Sequence, residues 1–248
     1  MNKDKDKYNN ILYTRNSKVI DTLNIFYDDF LGYKKNTHRI FISSDNYKDI
    51  IILQLHSILI NIFLDNKNGF DNAKNKLNKC KNLIRNGSAT DREIKYYDFL
   101  KKLMNKEFFK ALNILNKLII DNPTDLFTAK LGQIFYFSIG EIGKMLELSN
   151  FIIEHNSDNH LALSMLSFAL EENNYIDKAK NNAIKSIEIE PSDPWAHHTL
   201  AHIYEVENNP VKGIEVLNKY RHYWEKCNSF IYTHNWWHIS LFYLKQKN

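Results

Sequence analysis

Apolar residues recur at helical spacing along almost the whole of this chain. Leu112, Leu115, Ile119 and Ile120 mark one stripe, Ala179, Ala183, Ser186 and Ile187 a second, and Ile214, Leu217, Tyr220 and Arg221 a third. Recurrence at i, i+3, i+4 predicts amphipathic helices. No run alternates apolar and polar residues between turn dipeptides, which argues against strands. The helix boundaries carry their own signals. Thr90-Asp91-Arg92-Glu93 has the form of a capping box, with Gly87 and Ser88 upstream where the preceding helix would stop. Pro123-Thr124-Asp125 and Pro191-Ser192-Asp193-Pro194 supply further breaks and caps. The most apolar run, Ile50 to Leu64, holds Gln54, His56, Ser57 and Asn61 within 15 residues. It is too short and too polar to span a bilayer and reads as a buried helix.

The stripes are organised by a repeat. Pro123 and Pro191 stand 68 residues apart, twice 34, and His155-Asn156-Ser157-Asp158 lies at the intermediate phase. Asn105-Lys106-Glu107-Phe108-Phe109-Lys110-Ala111 and Asn173-Asn174-Tyr175-Ile176-Asp177-Lys178-Ala179 match at the same 68-residue offset. Asn208-Asn209-Pro210-Val211-Lys212-Gly213 continues the series, with Gly213 where Ala179 stood. A helix-turn-helix period of 34 residues is that of the tetratricopeptide repeat (TPR). The expected fold is therefore all-α, a TPR-type α-α superhelix of stacked helical hairpins. Small residues (Ala111, Ala179, Ala201, Gly213) would let paired helices touch, and Leu115, Leu118, Leu163, Leu166, Leu200 and Tyr204 would fill the neighbouring holes. Residues 1–17 are expected to be a poorly ordered start, and 18–248 a single helical-repeat domain. Within it, pairs fall near 92–123, 125–156, 159–190 and 193–226, with a divergent pair near 46–86, an extra helix over 18–32 and a closing helix over 233–246.

Composition narrows the picture. With 7 Gly and 4 Pro, the chain lacks the turn residues that β-sandwiches and α/β barrels need. Two cysteines, Cys80 and Cys227, make no disulfide framework and no CxxC, which fits a reducing compartment. The start, MNKDKDKYNN, mixes charges and has no apolar core of a signal peptide, so a cytoplasmic location is expected. Lys outnumbers Arg 28 to 5, Ile outnumbers Val 29 to 4, and there are 32 Asn. All three excesses follow A/T-rich codons. The Lys-rich surface of residues 1–110 (net +8) is thus better read as solvated than as a nucleic-acid face, since Arg is scarce and aromatics are not interleaved with Lys.

A resemblance goes beyond the generic repeat. Ala89-Thr90-Asp91-Arg92-Glu93, Ala111, Asn122-Pro123-Thr124-Asp125 and Phe137-Ser138-Ile139-Gly140 occur in order. They are followed by Asp193-Pro194-Trp195-Ala196-His197-His198-Thr199-Leu200-Ala201-His202 and His234-Asn235-Trp236-Trp237-His238. Together, over residues 85–246, these resemble the tetratricopeptide repeat protein 38 family. The resemblance implies a helical-repeat protein and leaves cofactors unknown.

The chemistry concentrates in histidine. Six of the ten His lie between 197 and 238: His197, His198, His202, His222, His234 and His238. His198 with His202, and His234 with His238, are i, i+4 pairs that share a helix face. TPR proteins line their concave groove with particular first-helix positions, here Trp195, His198, His202 and Glu205. The expected ligand-binding set is Trp195, His198, His202, Glu205, His234, Trp236 and His238. It would hold a protein, a peptide or a small polar ligand in the groove. Two other readings stay open: histidines and tryptophans that only pack, and an enzyme, metal-dependent or not, built on His198, His202 and His238. Imidazoles at i, i+4 can chelate Zn or Fe, with Glu205 as a further ligand or base. The HExxH glutamate is absent, and no metal ligand is assigned. P-loop, GxSxG and GxGxxG motifs are also absent. No membrane partner is expected.

Overall fold

The structure is a computed structural model and describes residues 3–246. Among them the architecture is all-α, built of stacked helical hairpins, apart from one minimal β-hairpin. The chain divides into two compact units. One comprises residues up to Asp28 with Asn36–Thr128; the other comprises Asp29–Lys35 with Ala129 onward.

The first unit opens with β1 (Asp4–Lys5) and β2 (Ile11–Leu12), paired antiparallel within the segment expected from sequence to be a poorly ordered start. Asp6 organises the turn between them. Its carboxylate accepts from the backbone of Tyr8 and Asn10 (both 2.9 Å) and from the Tyr27 hydroxyl (3.1 Å). The Asn122 amide donates to the Tyr8 carbonyl at 2.8 Å. A short segment gains order here from buried polar bonds, which hydrophobic periodicity does not report.

Helix α1 (Ser17–Leu31) follows, then a 3-10 turn (Lys35–Arg39) and α2 (Ile40–Asn46). Next come α3 (Ile51–Phe63), α4 (Lys67–Arg85), α5 (Asp91–Met104) and α6 (Phe108–Asp121). In this unit α3 packs on α4 and α5, and α5 on α6. The capping box is present: Thr90 Oγ1 accepts from the Glu93 backbone, while Glu93 accepts from the Thr90 backbone. The apolar run is indeed a buried helix. Three of its four polar residues find side-chain partners: Gln54 donates to the Ser44 carbonyl, His56 lies between the Tyr27 and Tyr96 hydroxyls, and Asn61 donates to the Ser57 carbonyl. No helix among the described residues is long and apolar enough to cross a membrane. Two stripes need correction: Leu112, Leu115 and Ile119 are buried, but Ile120 is 65% exposed because it sits one helix step beyond the contact face, and Arg221 is exposed just past the end of its helix.

Helix α7 (Leu126–Ser138) leads into the second unit, which continues with α8 (Ile142–His155), α9 (His160–Glu172) and α10 (Ile176–Ile189). It ends with α11 (Pro194–Val206), α12 (Pro210–Tyr220), a 3-10 segment (Arg221–Lys226) and α13 (Ser229–Lys245). In this unit α9 packs on α8, α10 and α11, and α11 packs on α10, α12 and α13. The second helices of four successive hairpins begin at Phe108, Ile142, Ile176 and Pro210, each 34 residues from the last. The core of the second unit joins Ala179, Ala183, Leu200, Ala201, Leu217, Trp224 and Phe242. Gly213 is where α12 meets α13: a Cβ there would lie 2.5 Å from the Phe242 ring.

Candidate functional site

The site lies wholly in the second unit, on α11 and α13 with a contribution from α9. Asp193 fixes the start of α11. Its Oδ1 accepts from the backbone of Trp195 (2.9 Å) and Ala196 (3.2 Å), and Pro194 occupies the first turn, where no N–H is needed. Its Oδ2 accepts from His160 Nδ1 (3.0 Å) and Ser186 Oγ (3.1 Å), which ties this cap to α9 and α10. Burial pushes the Asp193 carboxyl up, but His160 and the cap N–H groups outweigh it and hold the pKa below the usual value. Asn228 caps α13 through the Ile231 backbone (3.3 Å), and Asn235 donates to the Pro194 carbonyl (3.2 Å), so the two helices are in fixed register.

Consecutive histidines on α11 have opposite surroundings. His197 faces the core. Trp224 Nε1–H donates to its Nδ1 at 3.0 Å, so Nε2 carries the proton and donates to the Pro191 carbonyl at 3.1 Å. Burial pushes its pKa down to about 4. His198 turns the other way and is buried with Nδ1 unpartnered. Its ring lies 4.4 Å from that of His202, 4.7 Å from His234 and 5.3 Å from His238. His238 is 4.8 Å from His202 and 4.9 Å from His234, and its buried Nε2 is also unpartnered. One nitrogen from each of the four rings lies within 4.8 Å of the others.

All four imidazoles therefore share one locus, and desolvation favours the neutral forms of His198, His234 and His238. Burial, followed by the neighbouring imidazoles and Lys130, puts the His198 pKa well below its ordinary value. Burial and then His202 and His234 push His238 down to about 3, and His234 is lowered by burial and His202.

Of the other expected residues, Trp195 is at the site. It stacks on His198 (4.7 Å) and on Tyr33 (5.2 Å), with Phe168 edge-on at 4.8 Å. Trp236 and Glu205 are not. Trp236 packs on the core beside Trp224, 6.0 Å away, because residue 236 is only two positions from His234 and so faces across the helix. Glu205 pairs with Lys245 at 2.6 Å. His222 is exposed on the 3-10 segment.

Sequence reasoning missed Trp237, Glu171, Glu172 and Lys130. Trp237 is 54% exposed and lies 5.5 Å from His234 and 5.1 Å from His238; its i+3 spacing from His234 could have found it. Glu171 Oε2 is 3.3 Å from His202 Nδ1, and Glu172 belongs to the same group. Burial and the neighbouring Glu171 raise the Glu172 pKa. The ammonium of Lys130 is 4.0 Å from the Trp195 ring centre and donates to Gln133 Oε1 at 2.8 Å; burial lowers its pKa to about 7. The repeat period points to Glu171 and Lys130 among these, and to Phe168 beside them. Glu171 is 34 residues before Glu205, Phe168 is 34 before His202, and Lys130 is 68 before His198. An open cleft lined by Phe230, Thr233, His234 and Trp237 borders the cluster.

The 34-residue hairpins, their stacking order and the small-residue contacts decide the fold. It is a TPR-like helical repeat. A thermophilic TPR protein of Thermus thermophilus aligns over 75% of this chain and 99% of its own, with 14% identity and a TM-score of 0.53. MamA of Desulfovibrio magneticus RS-1 covers 70% of this chain and 96% of its own at 13% identity and a TM-score of 0.49. YrrB, a TPR protein with an unusual peptide-binding site, covers 79% and 96% at 14% identity and a TM-score of 0.45. No protein-family model matches the chain. At these identities the similarity concerns fold alone.

Neither cysteine is poised as a nucleophile. Both are free and buried, and burial pushes the Cys80 thiol up to about 12 and the Cys227 thiol to about 11.

Proposed function

We propose that the chain is a helical-repeat binding scaffold that holds a small polar ligand, or the polar end of a peptide, at the histidine cluster of its second unit. The observation that carries this reading is the contrast between neighbours. His197 has both ring nitrogens bonded, whereas His198 Nδ1 and His238 Nε2 are buried without partners. Leaving such a group unpaired costs about 1–3 kcal/mol, which a bonded ligand recovers. The cleft at Phe230, Thr233, His234 and Trp237 offers an entry beside the cluster. The catalytic alternative has less support, since Glu205, its expected base, pairs with Lys245. A reducing, cytoplasmic setting belongs to the same reading and is supported by the two free cysteines. Kinship with the tetratricopeptide repeat protein 38 family rests on the sequence motifs.

Native mass spectrometry of the chain purified gently from its own host tests the reading. A bound species carried by the parent and lost from a His198→Ala/His238→Ala variant of unchanged helicity supports it. Bare parent and bare variant, or a species retained by both, overturns it.

A further inference from the structure

We propose that His198, His202, His234 and His238 bind one first-row transition metal ion of the zinc class, which clamps α13 onto α11. This rests on the reading of the histidine cluster as a binding site, and makes a metal ion its occupant in place of an organic ligand.

Three independent features converge. The first is the donor set. Two i, i+4 pairs on packed helices present four imidazole nitrogens within 4.8 Å of one another. Imidazole is a preferred ligand of Zn, Cu, Fe and Ni, and it binds in its neutral form, the form that burial favours for His198 and His238. The second is the pair of orphaned nitrogens. Nδ1 of His198 and Nε2 of His238 are each buried with no hydrogen-bond partner, and a coordinated ion would satisfy both. The third lies behind His202. Its Nδ1 is 3.3 Å from Glu171 Oε2, a buried oxygen with no hydrogen-bond partner, so a small turn of the ring would commit Nδ1 to the carboxylate and Nε2 to the ion. A carboxylate behind a ligating imidazole is the usual outer-shell arrangement, and it offsets part of the charge that four neutral ligands leave uncompensated.

The fit sets a geometric demand. Zn–N bonds of about 2.0–2.1 Å in a tetrahedron require nitrogens about 3.3 Å apart, so the rings must close inward on binding. Nothing bonds the free nitrogens of His198 and His238 in their present orientations, and His234 stands at the rim of the open cleft. Four protein ligands complete a tetrahedron, and such closed sites are structural. The role assigned is therefore to lock the closing helix, with no reacting species placed on the ion.

The test titrates tag-free, metal-stripped protein with Co²⁺ and reads its visible absorption, then adds Zn²⁺. The expected result is a tetrahedral cobalt spectrum that saturates at one equivalent and is displaced by Zn²⁺. His198→Ala and His238→Ala abolish it, and Glu171→Gln weakens the affinity about ten- to hundred-fold. His222→Ala, outside the cluster, leaves it unchanged. Circular dichroism accompanies each variant. If a buried-position variant fails to fold, His234→Ala at the rim and Glu171→Gln carry the test. Absence of saturable binding overturns the proposal, as does binding that survives His234→Ala and Glu171→Gln unaltered. Should cobalt fail to bind while the host-purified chain carries an organic species that requires His198 and His238, the metal is wrong and the scaffold reading stands. If neither is found, both fall.

Discussion

Single atoms separate a packing histidine from a site histidine in this protein. His197 is held by the Trp224 indole and the Pro191 carbonyl, both of which suit its neutral ring. Trp224→Phe keeps most of the apolar volume but leaves His197 Nδ1 buried and unpaired. It should cost about 1–3 kcal/mol, read as a lower urea midpoint at unchanged m-value. Gly213 is a second position where one atom decides. The Cβ of Gly213→Ala would stand 2.5–2.8 Å from three carbons of the buried Phe242 ring. Overpacking of this kind typically costs about 1–3 kcal/mol, and the loss should be largely relieved in a Gly213→Ala/Phe242→Leu double variant. The sequence carried the histidine pairs, since i, i+4 spacing fixes a shared face. It did not carry the separation of Trp236 from Trp237, because both neighbours of an i+2/i+3 step look equally aromatic until the core side of α13 is known. The carboxylate beside His202 was likewise missed by looking at Glu205 on its own helix. A ligand's neighbour in a stacked repeat is often the equivalent residue one hairpin away, here Glu171.

At the scale of elements, the hairpin turn explains why the repeat was legible at all. Lys106, Gly140, Asn174 and Asn208 follow one another at 34-residue intervals, and all four adopt positive φ, between 49° and 77°. Each closes its first helix in the same way. The left-handed residue donates its N–H three residues back and the next residue donates five back, as in Glu107 to Lys102 and Tyr175 to Leu170. Asn174 and Asn208 are thus backbone requirements that surface in the sequence, whereas Asn173 donates its side chain to the Ala169 carbonyl and Asn209 caps the next helix through the Lys212 backbone. Only Lys106 departs from the Gly/Asn preference. Gly140 meets nothing within 4 Å where a Cβ would stand, so the cost of Gly140→Ala is purely conformational. It should destabilise by about 1 kcal/mol, while Lys106→Gly should be neutral or stabilising by up to about 1 kcal/mol. Paired thermal melts of the two variants check the opposite signs. The β1–β2 hairpin had no such signature, since its order comes from one aspartate accepting from two backbone N–H groups and a tyrosine.

At the scale of the whole molecule, stability should depend on pH through histidines buried in their neutral forms. His56 in the first unit is sandwiched by Phe26 (4.8 Å) and Phe127 (4.7 Å), and desolvation, followed by Arg92, holds its pKa well below 6.5. His197, His198 and His238 in the second unit are depressed in the same direction. The unfolded chain protonates these rings near their ordinary pKa, whereas the folded chain does not. Stability is therefore fully present above about 6.5 and falls as the pH drops from there toward the depressed values. For His197 that window closes near 4, and the full shift corresponds to about 3 kcal/mol. Denaturant midpoints taken with chelator present should therefore hold level from pH 7.5 to about 6.5 and decline from there to pH 5. His56→Gln keeps a polar group between the Tyr27 and Tyr96 hydroxyls but removes one titrating ring. It should be less stable than the parent at pH 7.5, and the gap should narrow as the pH falls. A gap that stays constant across this range would mean that His56 is not held neutral in the folded chain, and the aromatic packing around it would then need another account.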